Sequence, residues 1–118
     1  MEMSPISKND FMPVEELRKM QLEKLQKIIA YEYDRIALFR KRCDEKGVKP
    51  RDLVTLKDLG KFPFMKKTDL RDEYPYGLTA APMREINRFH CSSGTTGKPI
   101  CIPQTKGDLA VWTDGAAR

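Results

Sequence analysis

Apolar residues recur at helical intervals from Pro13 to about Lys46, where Leu22, Leu25, Ile29, Ile36, Phe39 and Cys43 fall near one stripe among Lys, Arg and Glu. The pattern predicts helix throughout this stretch. Pro13 suits a first helical position, and Gly47 followed by Pro50 suits a left-handed cap and a stop. One uninterrupted rod of that length needs a partner along its whole face, so a break is expected between Tyr33 and Arg35, giving two helices. Thr55-Leu56-Lys57-Asp58 has the form of a capping box, with Thr55 accepting from a free amide and Asp58 reaching back, which predicts a short helix through Leu59 or Gly60. Thr68 before Asp69-Leu70-Arg71-Asp72 predicts a further helix start. Tyr74-Pro75-Tyr76-Gly77 predicts a turn, because proline lacks the amide donor and glycine accepts positive φ.

After residue 85 the period changes. Ile86, Arg88, His90 and Ser92 alternate with Asn87, Phe89 and Cys91, which predicts a strand, and Ile100-Cys101-Ile102 predicts a second one beyond a glycine-containing loop. Thr105-Lys106-Gly107-Asp108 repeats the capping-box logic ahead of a helix carrying Leu109, Val111 and Trp112. The reading is α+β, with a helical region over 1–85 and a strand–loop–strand–helix unit over 86–118. No glycine cap or proline follows the last predicted helix. A chain cut from a longer protein and a frayed terminal helix both account for that ending.

Composition narrows the class. The chain has 118 residues, 40% of them hydrophobic and 33% charged, as in globular proteins, and no apolar run reaches the roughly twenty residues needed to span a membrane as a helix. Met1 to Asp10 carries no apolar stretch of the signal-peptide kind, so a cytoplasmic protein is expected. Lys and Arg total 22 against 17 Asp and Glu, a formal charge of +5 that favours an anionic ligand. Three scattered cysteines, Cys43, Cys91 and Cys101, fit neither a disulfide framework nor paired zinc ligands. With one histidine, His90, a metal site would be built from oxygen ligands, which suits magnesium accompanying phosphate.

The candidate chemistry sits in Ser92-Ser93-Gly94-Thr95-Thr96-Gly97-Lys98-Pro99. Gly94 and Gly97 allow backbone conformations closed to other residues, which can turn amide hydrogens toward one anion-sized concavity. Ser92, Ser93, Thr95 and Thr96 add rotatable hydroxyls, and Lys98 adds a full positive charge on a flexible stem. No Asp or Glu lies between Ile86 and Gly107, whereas Arg88, Lys98 and Lys106 do. A Walker loop is excluded, since only two residues separate the glycines and Pro99 follows the lysine, and the dinucleotide glycine fingerprint is absent. A plain hairpin turn has no use for four hydroxyls around two glycines and a lysine.

This segment resembles the phosphate loop of the acyl-adenylate-forming superfamily, which includes acyl-CoA synthetases, luciferases and peptide-synthetase adenylation domains. More narrowly, the chain is similar to the amino-terminal part of the phenylacetate-CoA ligase family. That likeness rests on Glu15-Glu16-Leu17-Arg18, Pro63-Phe64, Lys67-Thr68-Asp69-Leu70-Arg71, Tyr76-Gly77-Leu78, His90 through Pro99, and Asp108-Leu109 with Trp112. The resemblance implies an amino-terminal fragment of an α/β ligase that uses ATP to convert an aryl-acetic acid to its adenylate and then transfers it to coenzyme A. It implies that Ser93, Gly94, Thr95, Thr96, Gly97 and Lys98 hold phosphates, that Thr95 or Thr96 lies near Mg2+, and that Lys98 acts in the chemical step. It implies no nucleic-acid partner and is compatible with a homodimer. Ile100 stands where many superfamily members carry a second lysine, a departure that the phenylacetate branch shares. Regions for adenine, ribose and the mobile carboxy-terminal lysine have no counterpart here, so the 118-residue fragment is expected to be inactive alone. The alternative is a stand-alone phosphate- or nucleotide-binding module.

Other residues read as structural. His90 is expected to be a packed strand residue rather than a base, and Cys91 a small packed side chain. Tyr31, Tyr33, Phe39, Phe62, Phe64 and Trp112 are expected in the core rather than in an acid pocket. Arg40-Lys41-Arg42 is expected to be a solvated helix face, interrupted as it is by Asp44 and Glu45.

Overall fold

The computed structural model describes residues 9–94 and 97–117. Helix α1 (Val14–Arg35) and helix α2 (Ala37–Glu45) are followed by 3-10 turns at Pro50–Asp52 and Leu56–Lys61, then by the short helix α3 (Lys67–Asp72). A third 3-10 turn, Met83–Glu85, leads into strands β1 (Ile86–Cys91) and β2 (Cys101–Thr105) and helix α4 (Lys106–Ala117). The sequence of elements is helical first, then strand pair and helix, as the pattern predicts.

The helical break falls at Ile36, one residue beyond the expected window. Ile36 takes an extended conformation (φ −109°, ψ 105°), and the Arg40 guanidinium donates to the carbonyls of Tyr33 (2.8 Å) and Asp34. These are carbonyls of the last turn of α1, which have no partner within the helix, so Arg40 serves as its cap. Pro13 precedes the helix rather than opening it. The far end of α2 closes as predicted: Gly47 has φ +67°, its amide donates to the Asp44 carbonyl at 3.0 Å, and the Val48 amide reaches the Cys43 carbonyl at 2.9 Å. This is a Schellman motif, and its apolar pair, Cys43 and Val48, is buried.

The core gathers Ile29, Ile36, Phe39, Cys43, Val48, Leu53 and Phe62, with Leu22, Leu25, Tyr33, Leu38, Leu78 and Ala80 packed against it. The helical stripe therefore points inward as a whole. Phe39 and Phe62 are buried and Tyr33 is packed at the edge, but Phe64 (85% exposed), Trp112 (49%) and Tyr31 lie at the surface, contrary to the core reading.

The basic cluster on α2 is a solvated face at Arg40 and Lys41, as expected, but not at Arg42. Arg42 donates bidentately to the buried carboxylate of Asp69, with both contacts 2.7 Å, and to the Phe64 carbonyl at 3.1 Å. Asp69 also accepts from the Lys66 amide at 2.6 Å and so starts α3 itself, a role predicted for Thr68, which lies inside the first turn. The Arg42 bonds, followed by the Lys66 amide, hold the Asp69 carboxyl down at a pKa of about 2. At Thr55 the capping box forms as predicted: the Asp58 carboxylate accepts the backbone amide (2.7 Å), and the hydroxyl also donates to that carboxylate at 3.0 Å. Gly77 does not adopt positive φ. Its need is close approach: a Cβ there would sit 2.9 Å from the Glu73 carbonyl, which the Gly77 amide binds at 2.8 Å.

Candidate phosphate loop

Strands β1 and β2 pair antiparallel, with Phe89 opposite Pro103, His90 opposite Ile102 and Cys91 opposite Cys101, and a register irregularity between Ile86 and Arg88. The second strand starts one residue later than predicted and runs farther, through Pro103 and Gln104. Residues 92–100 are the connection between the strands. Its base is fastened twice: the Ser92 amide donates to the Ile100 carbonyl at 2.9 Å, and the Ile100 amide donates to Ser92 Oγ at 3.0 Å. Ser92 is thereby committed as an acceptor at the neck of the loop. Ile100 is buried, so this position serves packing.

Above the neck both glycines take the positive φ that the sequence predicts, in different surroundings. Gly94 has φ +66°, and a Cβ there would meet the Gly97 carbonyl at 2.9 Å and the Pro99 nitrogen at 3.2 Å. Gly97 has φ +132°, a conformation that L side chains rarely adopt, with nothing within 4 Å of its missing side chain. The Gly97 amide donates to the Gly94 carbonyl at 3.2 Å, so this nitrogen closes the turn. Ser93, Gly97 and Lys98 are exposed and Gly94 is partly so. Thr95 and Thr96 lie outside the described residues.

Helix α4 begins at the other end of β2 from the loop. Thr105 and Asp108 make its full capping box, in which the Thr105 amide (2.8 Å) and hydroxyl (2.9 Å) donate to the Asp108 carboxylate and the Asp108 amide donates back to Thr105 Oγ1 at 3.2 Å. The α4 dipole is therefore unavailable to the loop, unlike the arrangement in Walker-type sites. Any grip on an anion here comes from loop backbone, hydroxyls and Lys98.

His90 packs against the Trp112 ring with centroids 4.7 Å apart, a T-shaped contact tying β1 to α4, in keeping with its structural reading. Cys91 departs from expectation: it is exposed, and its Sγ lies 2.8 Å from that of Cys101. The linear spacing of the cysteines hid this pairing, which the register of the predicted hairpin could have revealed.

A cleft of about 390 Å³ lies elsewhere, between α1, the segment after α3 and β2. Its lining includes Glu32, Glu73, Glu85 and Asp108 and no lysine or arginine, and burial pushes the Glu32 carboxyl up. Such a wall repels triphosphate. Among the described residues no group of three or more His, Cys, Asp or Glu could hold a metal ion, and no helix is long and apolar enough to cross a membrane.

No protein-family model matches the chain. Among solved structures it superposes on 2-hydroxyisobutyryl-CoA ligase in complex with 2-HIB-AMP and CoA, with a TM-score of 0.80 and 32% identity over 91% of this chain and 24% of that one. The same ligase in its postadenylation state with 2-HIB-AMP gives 0.78 and 29%. The fold is similar to that of a segment of this acyl-CoA ligase. By sequence, the chain is related to the phenylacetate-coenzyme A ligases: it is 50% identical over 107 residues to that of Thermus thermophilus, 49% over 105 to that of Pseudomonas putida and 41% over 105 to that of Escherichia coli. These matches take in 91%, 89% and 89% of this chain, and the chain spans about a quarter (24%) of each relative.

Proposed function

We propose that this chain forms the phosphate-gripping part of an ATP-dependent CoA ligase that activates an aryl-acetic acid as its adenylate and passes it to coenzyme A. The observation that carries the reading is the glycine-shaped loop on paired strands, set in a chain whose relatives are named phenylacetate-coenzyme A ligases. Attack of a carboxylate on the α-phosphate moves negative charge onto departing pyrophosphate. Donors already fixed around the β and γ phosphates stabilise that charge without reorganising. Ser93 would donate its hydroxyl, Gly94 and Gly97 would shape the backbone, and Lys98 would follow the charge as it develops. Thr95 and Thr96 complete the hydroxyl set, and either would lie beside a magnesium ion, whose contribution would be charge neutralisation. We place the boundary between the helical region and the nucleotide-handling unit at 85/86, where the first core gives way to the strand pair.

In the complete ligase, Lys98→Ala is expected to slow adenylate formation about 100- to 1,000-fold, the usual cost of losing one oriented charge-stabilising donor, while the thioester-forming step changes much less. Single-turnover measurement of the two half-reactions checks this. Equal losses in both steps would remove Lys98 from the phosphate site.

A further inference from the structure

We propose that Cys91 and Cys101 form a site of reversible two-electron oxidation, a cross-strand dithiol that a hydroperoxide converts to a disulfide clamping the neck of the loop. The geometry of the pair is independent of what the loop binds. The two residues are directly opposed in the antiparallel register, and their sulfurs are 2.8 Å apart. The adjacent pair, Ser92 and Ile100, carries the ladder hydrogen bond. Alternation along an antiparallel ladder makes Cys91–Cys101 a non-hydrogen-bonded pair, for which Cα atoms lie roughly 4.5 Å apart, inside the range a disulfide spans. Bond formation needs the sulfurs to approach by roughly 0.8 Å to reach the ~2.04 Å of a disulfide.

Access is asymmetric. Cys91 is exposed and Cys101 half-buried, whereas Cys43 is fully enclosed in the helical core. A hydrogen bond with Cys91 in which Cys101 keeps the proton, aided by burial, pushes the Cys101 thiol up to about 11, and Cys91 is the exposed partner, so the first attack falls to Cys91. The Cys91 thiolate attacks one peroxide oxygen and the O–O bond breaks, giving a sulfenic acid and hydroxide, which takes up the thiol proton as water. The Cys101 sulfur then attacks the Cys91 sulfur, the S–O bond breaks and the hydroxyl leaves with the Cys101 proton as a second water. Two thiols are oxidised and one peroxide is reduced, and a dithiol reductant reverses the change. The product closes a ring across the ten-residue separation of the two cysteines, enclosing every residue of the loop.

Treatment of the reduced protein with stoichiometric hydrogen peroxide tests the proposal. The expected product is a monomer lighter by two hydrogen atoms, with reactive thiols on the denatured protein falling from three to one, a peptide linking Cys91 to Cys101, and Cys43 still free. Phenylarsine oxide, which bridges adjacent thiols, is the independent probe. One equivalent is expected to bind the reduced protein and none the oxidised protein, with Cys91→Ser and Cys101→Ser each abolishing binding. Cys91 is exposed, so its serine variant tests chemistry rather than folding. A stable oxygen adduct on Cys91 with Cys101 untouched, a disulfide-linked dimer as main product, or arsenical binding that survives either serine variant would overturn it.

Discussion

From Ile29 to Phe62 seven apolar side chains reach near-complete burial in one cluster, whereas among the described residues from Ile86 to Ala117 only Ile100 does. The first region is also tied by polar contacts: Arg42 to Asp69, Arg40 to the end of α1, and Gln26 to the Leu53 carbonyl at 2.9 Å. The second consists of a two-stranded sheet and a helix with no buried residue, with Val111 75% exposed and Trp112 half-exposed. A two-stranded sheet is marginal by itself, and the radius of gyration, 16.8 Å, exceeds the roughly 13.5 Å of a compact domain this size. The difference teaches that stability and candidate chemistry are separated: the helical region sets the fold, and the region that carries the loop sits at the low-stability end of the molecule.

The contrast breaks most readily at its stable side. Phe39→Ala is expected to cost about 3–5 kcal/mol, by lost burial and the cavity left behind, read as a shift in the urea midpoint. An effect as small as that of a surface substitution would mean that the helical cluster does not carry the fold. Acid titration sharpens the same side. The folded Asp69 carboxyl titrates at about 2, below the ~3.9 of an unfolded aspartate, so its ionised form favours folding. That contribution is complete above about pH 4 and disappears as pH falls toward 2. Asp69→Asn should flatten the melting temperature's dependence on pH in that window, and an unchanged slope would assign acid sensitivity to other carboxylates.

On the other side, Gly94→Ala is expected to distort the loop at a cost of about 1–2 kcal/mol for left-handed backbone, compounded by the close Gly97 carbonyl. Because this strain lies outside the core, it should appear as new chemical shifts at Ser93 to Lys98 with the Ile29 and Leu53 amides unmoved. Smallest of all, Val111→Ala is expected to change stability by less than about 0.5 kcal/mol, as calorimetry can verify. A loss comparable to that at Phe39 would show that α4 belongs to the cooperative core.

Much of this was legible in the sequence where one residue decides the local geometry. Gly47 gave a left-handed cap, the Thr105–Asp108 box gave the start of α4, and the stripe from Leu22 to Cys43 gave the buried face. Readings failed where a distant partner decides. Arg42 reads as a solvated cation until Asp69, 27 residues later, is folded against it, and Tyr31, Phe64 and Trp112 read as core until their rings are seen to stay exposed to solvent. In the loop, Gly94 and Gly97 were recognisable by type, but that Ser92 fastens the neck and that the Gly97 amide closes the turn depended on backbone geometry. The opposed cysteines required strand register, a property of pairing and not of spacing.

The central claim is that this loop is an anion grip, and the most direct measurement is a titration of isotope-labelled protein with inorganic triphosphate, followed by amide chemical shifts. Saturable movement of the Ser93, Gly94 and Lys98 resonances is predicted, weakened by Lys98→Ala, with Ile29, Leu53 and the acidic cleft around Glu32 unaffected. Shifts centred on that cleft, or none in the loop at saturating triphosphate, would contradict the account.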